Sequence, residues 1–211
     1  MSMTEDQYCV KQITRNEASP WILKKHYAKR MPPISYSFGL YKNSILVGIV
    51  TYGMPASPFL CIGVCGKENK SLVIELNRLC LMDNIPNGAS FLVGRSLQLL
   101  PKPRIVVSYA DKAMEHVGYV YQATNFFFTG TTKERTDIAP SEGKHSRHHQ
   151  GDKTKRVVRS AKHRYVIFIG TKKQKKDLLS QLRYPIQDYP KGESNRYDAG
   201  GVVDSQSLLI L

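Results

Sequence analysis

The stretch IVVSYADKAMEHVGYVYQATNFFFTG, Ile105 to Gly130, decides how the rest of the chain is read. Ile105-Val106-Val107 is an apolar run of strand length. It ends at Ser108-Tyr109-Ala110-Asp111, which carries two hydroxyls and a carboxylate. Met114, Val117, Val120 and Tyr121 then recur at helical spacing and predict a helix. Phe126-Phe127-Phe128 predicts a second strand. In open α/β sheets, ligands gather beyond the carboxyl ends of strands. Ser108, Tyr109 and Asp111 therefore stand where a site is expected. Asp is also a favoured helix cap, and a cap alone accounts for Asp111 equally well.

Working outward, residues 72–82 alternate as a strand, with Leu72, Ile74 and Leu76 on one face and Glu75, Asn77 and Arg78 interleaved. A turn containing Pro86 leads to a helix over 90–100, opened by Ser90 and broken by Pro101 and Pro103. Strand, helix and the strand 105–110 form a crossover, so the two strands should be parallel and near neighbours. Upstream, Ser19-Pro20 predicts a helix start, with the helix passing His26 and Tyr27 to Arg30 before Pro32-Pro33. Residues 36–41 and 45–52 predict a hairpin, and 54–70 a loop. Downstream, 165–169 predicts a strand and 172–182 a basic helix. The order implies an α/β domain with a mixed sheet and helices on its faces. The expected organisation is an N-terminal segment 1–19, one domain 20–191, and a tail 192–211.

The chain has 211 residues, enough for one core, and a net charge of +14. Residues 133–176 hold fourteen Lys or Arg against four Asp or Glu, most of that excess. Such a field draws polyanions and favours a nucleic acid partner. Lys29, Arg30, Lys144, Arg147, Lys155, Arg156, Lys172 and Lys173 are the candidate DNA contacts. His145, His148 and His149 fall in the same basic loop and read as phosphate contacts before metal ligands. Residues 1–19 lack an apolar leader, and no apolar run approaches the roughly 20 residues of a membrane span. Of four cysteines only Cys61 and Cys65 are close, and no zinc pattern is completed. Free thiols and a cytoplasmic location are expected.

The element order resembles the GCN5-related N-acetyltransferase (GNAT) fold. Several strings more closely resemble the Mom family of phage DNA-modification proteins: His26-Tyr27-Ala28-Lys29-Arg30, Glu75-Leu76-Asn77-Arg78-Leu79, Ser108-Tyr109-Ala110-Asp111, His116 to Asn125, and Tyr184-Pro185. The likeness spans about residues 20–190. It implies conversion of adenine in DNA to an N6-carbamoylated, glycinamide-like base that shields phage DNA from host restriction enzymes. It also implies an acyl-CoA cofactor and an iron requirement. GNAT enzymes hold the CoA pyrophosphate through R/Q-x-x-G-x-G/A. Here Ile85-Pro86-Asn87-Gly88-Ala89-Ser90-Phe91 departs from that pattern, keeping one glycine and a helix start. A helix N-terminus still offers free N–H groups to phosphate. Asn87, Gly88, Ala89 and Ser90 are thus the expected pyrophosphate loop, and Tyr121 and Asn125 are expected along the pantetheine arm.

His26 is a candidate base or metal ligand because imidazole titrates near neutrality. Tyr27 can serve the same centre. With Asp111 they form a His/Tyr/Asp set of the kind that suits non-haem iron. The plainer alternative is a solvated basic face with one packed aromatic. Arg78 stands in an apolar strand, so it is either salt-bridged to Glu75 or Asp111 or a clamp for phosphate or carboxylate. Ser108 and Tyr109 are candidates to position the donor. Three functions compete: a DNA-adenine-modifying transferase, a GNAT-like N-acyltransferase for a protein or small amine, and a non-enzymatic DNA-binding protein.

Overall fold

A computed structural model describes residues 7–82, 85–138 and 156–192. In chain order the elements are β1 (Tyr8–Gln12), α1 (Arg15–Pro20), β2 (Tyr36–Lys42), β3 (Ile45–Gly53), α2 (Pro58–Cys65), β4 (Val73–Leu81), α3 (Gly88–Leu99), β5 (Arg104–Asp111), α4 (Tyr119–Ala123), β6 (Phe127–Thr131), β7 (Arg135–Ile138), β8 (Arg156–Arg159), β9 (Lys162–Ile169) and α5 (Lys172–Ser180). Lys144, Arg147, Lys155 and the three loop histidines lie outside the described residues, as does the tail from 193.

Seven strands form one mixed sheet in the order β1-β2-β3-β4-β5-β9-β6, and β7 and β8 form a separate ribbon. Within that sheet β4 and β5 are parallel, and the other neighbours are antiparallel. The crossover expected through α3 is therefore present. Apolar residues of α3 (Leu92, Val93, Leu97) pack with Leu40, Tyr52, Leu76 and Val106 on one face of the sheet. Cys61, Val64 and Cys65 of α2 and Leu178 of α5 cover Val73, Ile105, Val107 and Val166 on the other. A third cluster, Ile13, Ala18, Ile22 and Ile49, seats α1 against the hairpin.

Several local expectations are corrected. The first helix starts at Thr14, not Ser19: Thr14 and Glu17 form a reciprocal capping box that satisfies two otherwise free N–H groups. Pro20 sits inside that helix, where it offers no N–H. A π turn (Trp21–Lys25) follows, closed by His26 N–H on the Trp21 carbonyl at 3.0 Å. The helix thus ends at His26 and leaves Tyr27 to Arg30 in a loop. The 54–70 loop contains α2, with Pro58 in its first turn. The helix expected from the spacing of Met114, Val117, Val120 and Tyr121 is broken: a 3₁₀ turn (Lys112–Met114) ends at Glu115 with φ 55°, and α4 starts after Gly118 with φ 81°. At Gly118 a Cβ would lie 2.5 Å from the Tyr165 ring, so only glycine fits. Asn87, at φ 60°, rather than Ser90, precedes α3 as its cap residue.

One feature of the sheet positions the site. β4 and β5 pair for three residues only, from Val73 opposite Ile105 to Glu75 opposite Val107. Both strands continue, to Leu81 and Asp111, but diverge. Just beyond the last pair, the Ser108 hydroxyl donates to the Leu76 carbonyl at 3.0 Å, a side-chain bridge where the ladder stops. The divergence ends the ladder there and leaves an opening between β4 and β5.

Candidate active site

On the α3 face lies a groove of about 670 Å³. Asn87, Ser90, Phe91 and Gly94 of the first turns of α3 line one wall, and Thr124 and Asn125 line the facing one. Lys102 and Lys175 stand along it as cations. Asn87 makes no capping bond with its side chain, and the Ser90 hydroxyl donates to the Asn87 carbonyl at 3.0 Å. Of the expected phosphate loop, Asn87 and Ser90 therefore face the groove. Gly88 is buried, its Cα backed by Ile85 and Leu81, where a Cβ would lie 2.6 Å from Ile85. Its glycine serves packing. Ala89 is half-buried beside it and is not part of the groove wall. Arg78 and Tyr121, expected with these residues, lie instead at the sheet opening.

Across the opening, His26, Tyr27, Glu75, Arg78, Asp111, His116 and Tyr121 are within reach of one another's charges. His26 is buried and stacks on Tyr27 with ring centroids 4.4 Å apart, while Tyr27 stays half exposed. The His26 Nδ1 accepts from the Ala28 N–H at 3.0 Å. A neutral ring bonded in that way carries its proton on Nε2. Burial, with the Arg78 and His116 charges, lowers the His26 pKa to about 4. His26 is thus a neutral hydrogen-bond donor near pH 7, not the base expected.

Arg78 does not close on either carboxylate. Its guanidinium donates to the carbonyls of Asn77 (2.6 Å) and Arg30 (2.9 Å), and Nε is buried without a partner among the described residues. Glu75, on the same strand, enters the sequence reading only as a partner for Arg78. The structure gives it a larger place. Burial raises its carboxyl pKa to about 7, against the opposing pull of Arg78 and Lys162. It accepts no hydrogen bond from the described residues. The signal for it was present: a carboxylate in an apolar strand needs the same explanation as the arginine three residues on. The Tyr109 phenol is pushed well above its usual value, by burial first and then by Glu75. Burial likewise takes Tyr121 to about 12, opposed by its contact with the Ser108 hydroxyl. Ser108 is fully buried and spends its proton on Leu76, so it braces the opening and is no nucleophile.

Asp111 is engaged on both oxygens. Lys162 forms an ion pair with Oδ2, while Ser160 and the Ala113 N–H donate to Oδ1. Burial alone would raise its pKa, but these donors outweigh it and hold the carboxyl below its usual range. It caps the 3₁₀ turn and ties β5 to the start of β9. The trio His26, Tyr27 and Asp111 therefore does not fit an iron site. Its carboxylate has no free oxygen, and metal at His26 Nε2 would move the ring proton onto Nδ1 and break the Ala28 bond. No group of three His, Cys, Asp or Glu suited to a metal ion occurs among the described residues.

The expected DNA contacts divide. Arg30 lies by the cleft, where burial and the nearby Arg159 charge lower its pKa. Lys29 is exposed beside it. Arg156 is exposed on the β7–β8 ribbon. Lys172 and Lys173 begin α5 at the opposite end of β9 and are not brought to the cleft. All four cysteines are free, and no helix among the described residues is long and apolar enough to cross a membrane.

Arabidopsis thaliana NAA60, solved in complex with a bisubstrate analogue, superposes with a TM-score of 0.50 at 12% identity, covering 77% of this chain and 98% of that one. An N-acetyltransferase from Staphylococcus aureus Mu50 gives 0.46 at 14% identity, over 76% of this chain and 98% of that one. The fold is that of the GNAT acetyltransferases. In sequence, the "Methylcarbamoylase mom" of Escherichia phage Mu is 26% identical over 209 residues, covering 87% of this chain and 86% of that protein. The Mom protein family matches residues 7–191, nearly the whole described body, and the chain belongs to that family.

Proposed function

We propose that the chain transfers a carbamoyl- or acyl-type group to the exocyclic N6 of adenine in DNA, and so protects phage DNA from restriction. The observation that carries this reading is the opening between β4 and β5. Glu75, Arg78 and Tyr121 gather there with Arg30 beside them, and a separate groove runs along α3. The groove fits an acyl-CoA: Asn87 and Ser90 at the start of α3, with Lys102 and Lys175, would hold its phosphates, and Asn125 the arm. Bound there, the thioester would supply an activated carbonyl to the opening.

The adenine amine is a weak nucleophile because its lone pair is shared with the ring. Its proton must leave as the new N–C bond forms, and the donor's carbonyl–sulfur bond would break with the thiol as leaving group. Glu75, with a pKa near neutrality, is the base in this reading. Tyr121 and Tyr109 stay protonated and donate hydrogen bonds, and Arg78 supplies positive charge and an unpaired N–H. The target base must leave the duplex stack to reach the cleft. The half-exposed Tyr27, backed by His26, offers a flat surface on which it stacks. The test is to digest DNA from cells expressing the wild type or Glu75→Gln and to weigh the nucleosides. A heavier adenosine with the wild type, absent with the variant, is expected. Only unmodified adenosine from cells making soluble wild-type protein would overturn the reading.

A further inference from the structure

We infer that the β7–β8 ribbon enters the major groove of duplex DNA and that Thr136, Arg156 and Val158 read the base pairs beside the target adenine. The inference rests on the DNA-directed reading above and extends it to sequence context.

The ribbon extends the main sheet at the cleft end. It leaves β6 three residues after Thr131 and rejoins β9 two residues before Lys162. At its root the Thr132 N–H donates to the Lys162 carbonyl at 2.9 Å, and the Lys162 N–H donates to the Thr132 hydroxyl at 3.0 Å. Lys162 and Ser160 in turn hold Asp111, and the Lys112 N–H donates to the Ala161 carbonyl at 3.1 Å. The ribbon base is thus fixed to the strand end that borders the cleft.

Its two faces differ. Register pairs Arg135 with Arg159, Thr136 with Val158, Asp137 with Val157 and Ile138 with Arg156. Residues alternate between faces of a strand. On one face Asp137 meets Arg159 at 3.5 Å and Arg135 at 3.9 Å, so the charges of that face are largely engaged with one another, with one positive charge in excess. Thr136, Ile138, Val158 and Arg156 share the other. Val158 is 71% exposed, and Arg156 and Thr136 are exposed as well. A bare valine beside an arginine and a threonine, on a narrow two-stranded strip, suits a groove wall. The major groove admits a two-stranded ribbon. Arginine pairs there with guanine O6 and N7, and apolar or threonine side chains meet the thymine methyl. Adenine N6 also faces that groove.

The experiment is protection of guanine N7 from dimethyl sulfate, read on duplex DNA with the full chain and needing no catalysis. The wild type should protect N7 positions at its binding sites. Arg156→Ala with Val158→Ser should abolish that protection and bind those sites about tenfold more weakly, as expected when one base interaction is removed. Its melting temperature should be unchanged, since both residues are on the surface. Lys172→Gln with Lys173→Gln should keep the protection. A wild type that binds and modifies DNA without N7 protection, or a ribbon variant with protection intact, overturns this inference alone. A folded wild type that neither binds nor modifies DNA overturns the reading beneath it.

Discussion

Glu75 and His26 sit at one opening, and burial shifts their pKa values in opposite directions, each against its charged form. For Glu75 the folded pKa of about 7 exceeds the ordinary 4.5. Between those values the folded protein binds more protons than the unfolded chain, so stability falls as pH rises through this window. The cost at pH 8 is at most roughly 3 kcal/mol, 1.36 kcal/mol for each unit of pKa. Glu75→Gln removes the charge and keeps the shape. Chemical denaturation should find it more stable than the wild type at pH 8 and no more stable at pH 4.5, while its modifying activity is abolished. A variant with equal stability at both pH values would show that Glu75 is well solvated and unfit as the base. For His26 the sign reverses. Its folded pKa of about 4 lies below the ordinary 6.5, so the folded state binds fewer protons and stability falls as pH drops from 6.5 towards 4. His26→Gln should flatten that part of the stability–pH curve. A curve as steep as that of the wild type would assign the acid sensitivity to other groups.

At the scale of elements, α3 both supports the core and walls the groove. Gly94 lies on the groove side, and a Cβ there would meet nothing within 4 Å. Glycine in a helix interior costs about 0.5–1 kcal/mol relative to alanine. Gly94→Ala should therefore raise the melting temperature slightly and leave activity intact. Gly94→Phe puts a ring into the groove without touching the core. It should keep the fold, measured by circular dichroism, but raise the KM for the donor at least tenfold. An unchanged KM would place the donor elsewhere. These elements also show what was legible in the sequence. The crossover through α3 was, because prolines bracket it and apolar spacing marks both strands. Strand β1 was not, being short, largely exposed and at the sheet edge, where little apolar pattern is imposed. Helix α2 was masked by its uniformly apolar run, which has no polar face to reveal a helical period. The insertion of β9 between β5 and β6 is a long-range pairing that no local signal encodes. At the site, a charge in an apolar strand singled out Arg78, and the polar end of an apolar run singled out Ser108. The partners of Asp111 and His26 were invisible: Asp111 meets Lys162 and Ser160 only through the β5–β9 pairing, and His26 meets the Ala28 N–H only because the helix ends early.

Across the whole molecule, the sheet separates two kinds of positive charge that composition merges. β9 runs from Lys162 beside Asp111 at the cleft to Ile169 at the far end. Seven residues at about 3.3 Å each make roughly 23 Å, so the α5 lysines start more than two Debye lengths from the cleft at physiological salt. Lys175 instead stands along the donor groove with Lys102. The cations by the cleft are Arg30, Arg159 and their neighbours. Duplex DNA engaged through the cleft should therefore respond to one set and not the other. Removing one cation–phosphate pair should flatten the plot of log affinity against log salt by about 0.9. Arg30→Gln with Arg159→Gln should reduce that slope by up to about 1.8, while Lys172→Gln with Lys173→Gln should leave it unchanged. Lys102→Gln with Lys175→Gln should leave DNA affinity alone and raise the KM for a phosphorylated donor. Arg159 also pairs with Asp137, so Arg30→Gln alone provides the cleaner comparison, with half the change in slope. If the α5 variant flattened the slope and Arg30→Gln did not, the DNA would lie across the far end of the sheet. The opening between β4 and β5 would then face a smaller acceptor, and the amine it serves would have to be sought outside DNA.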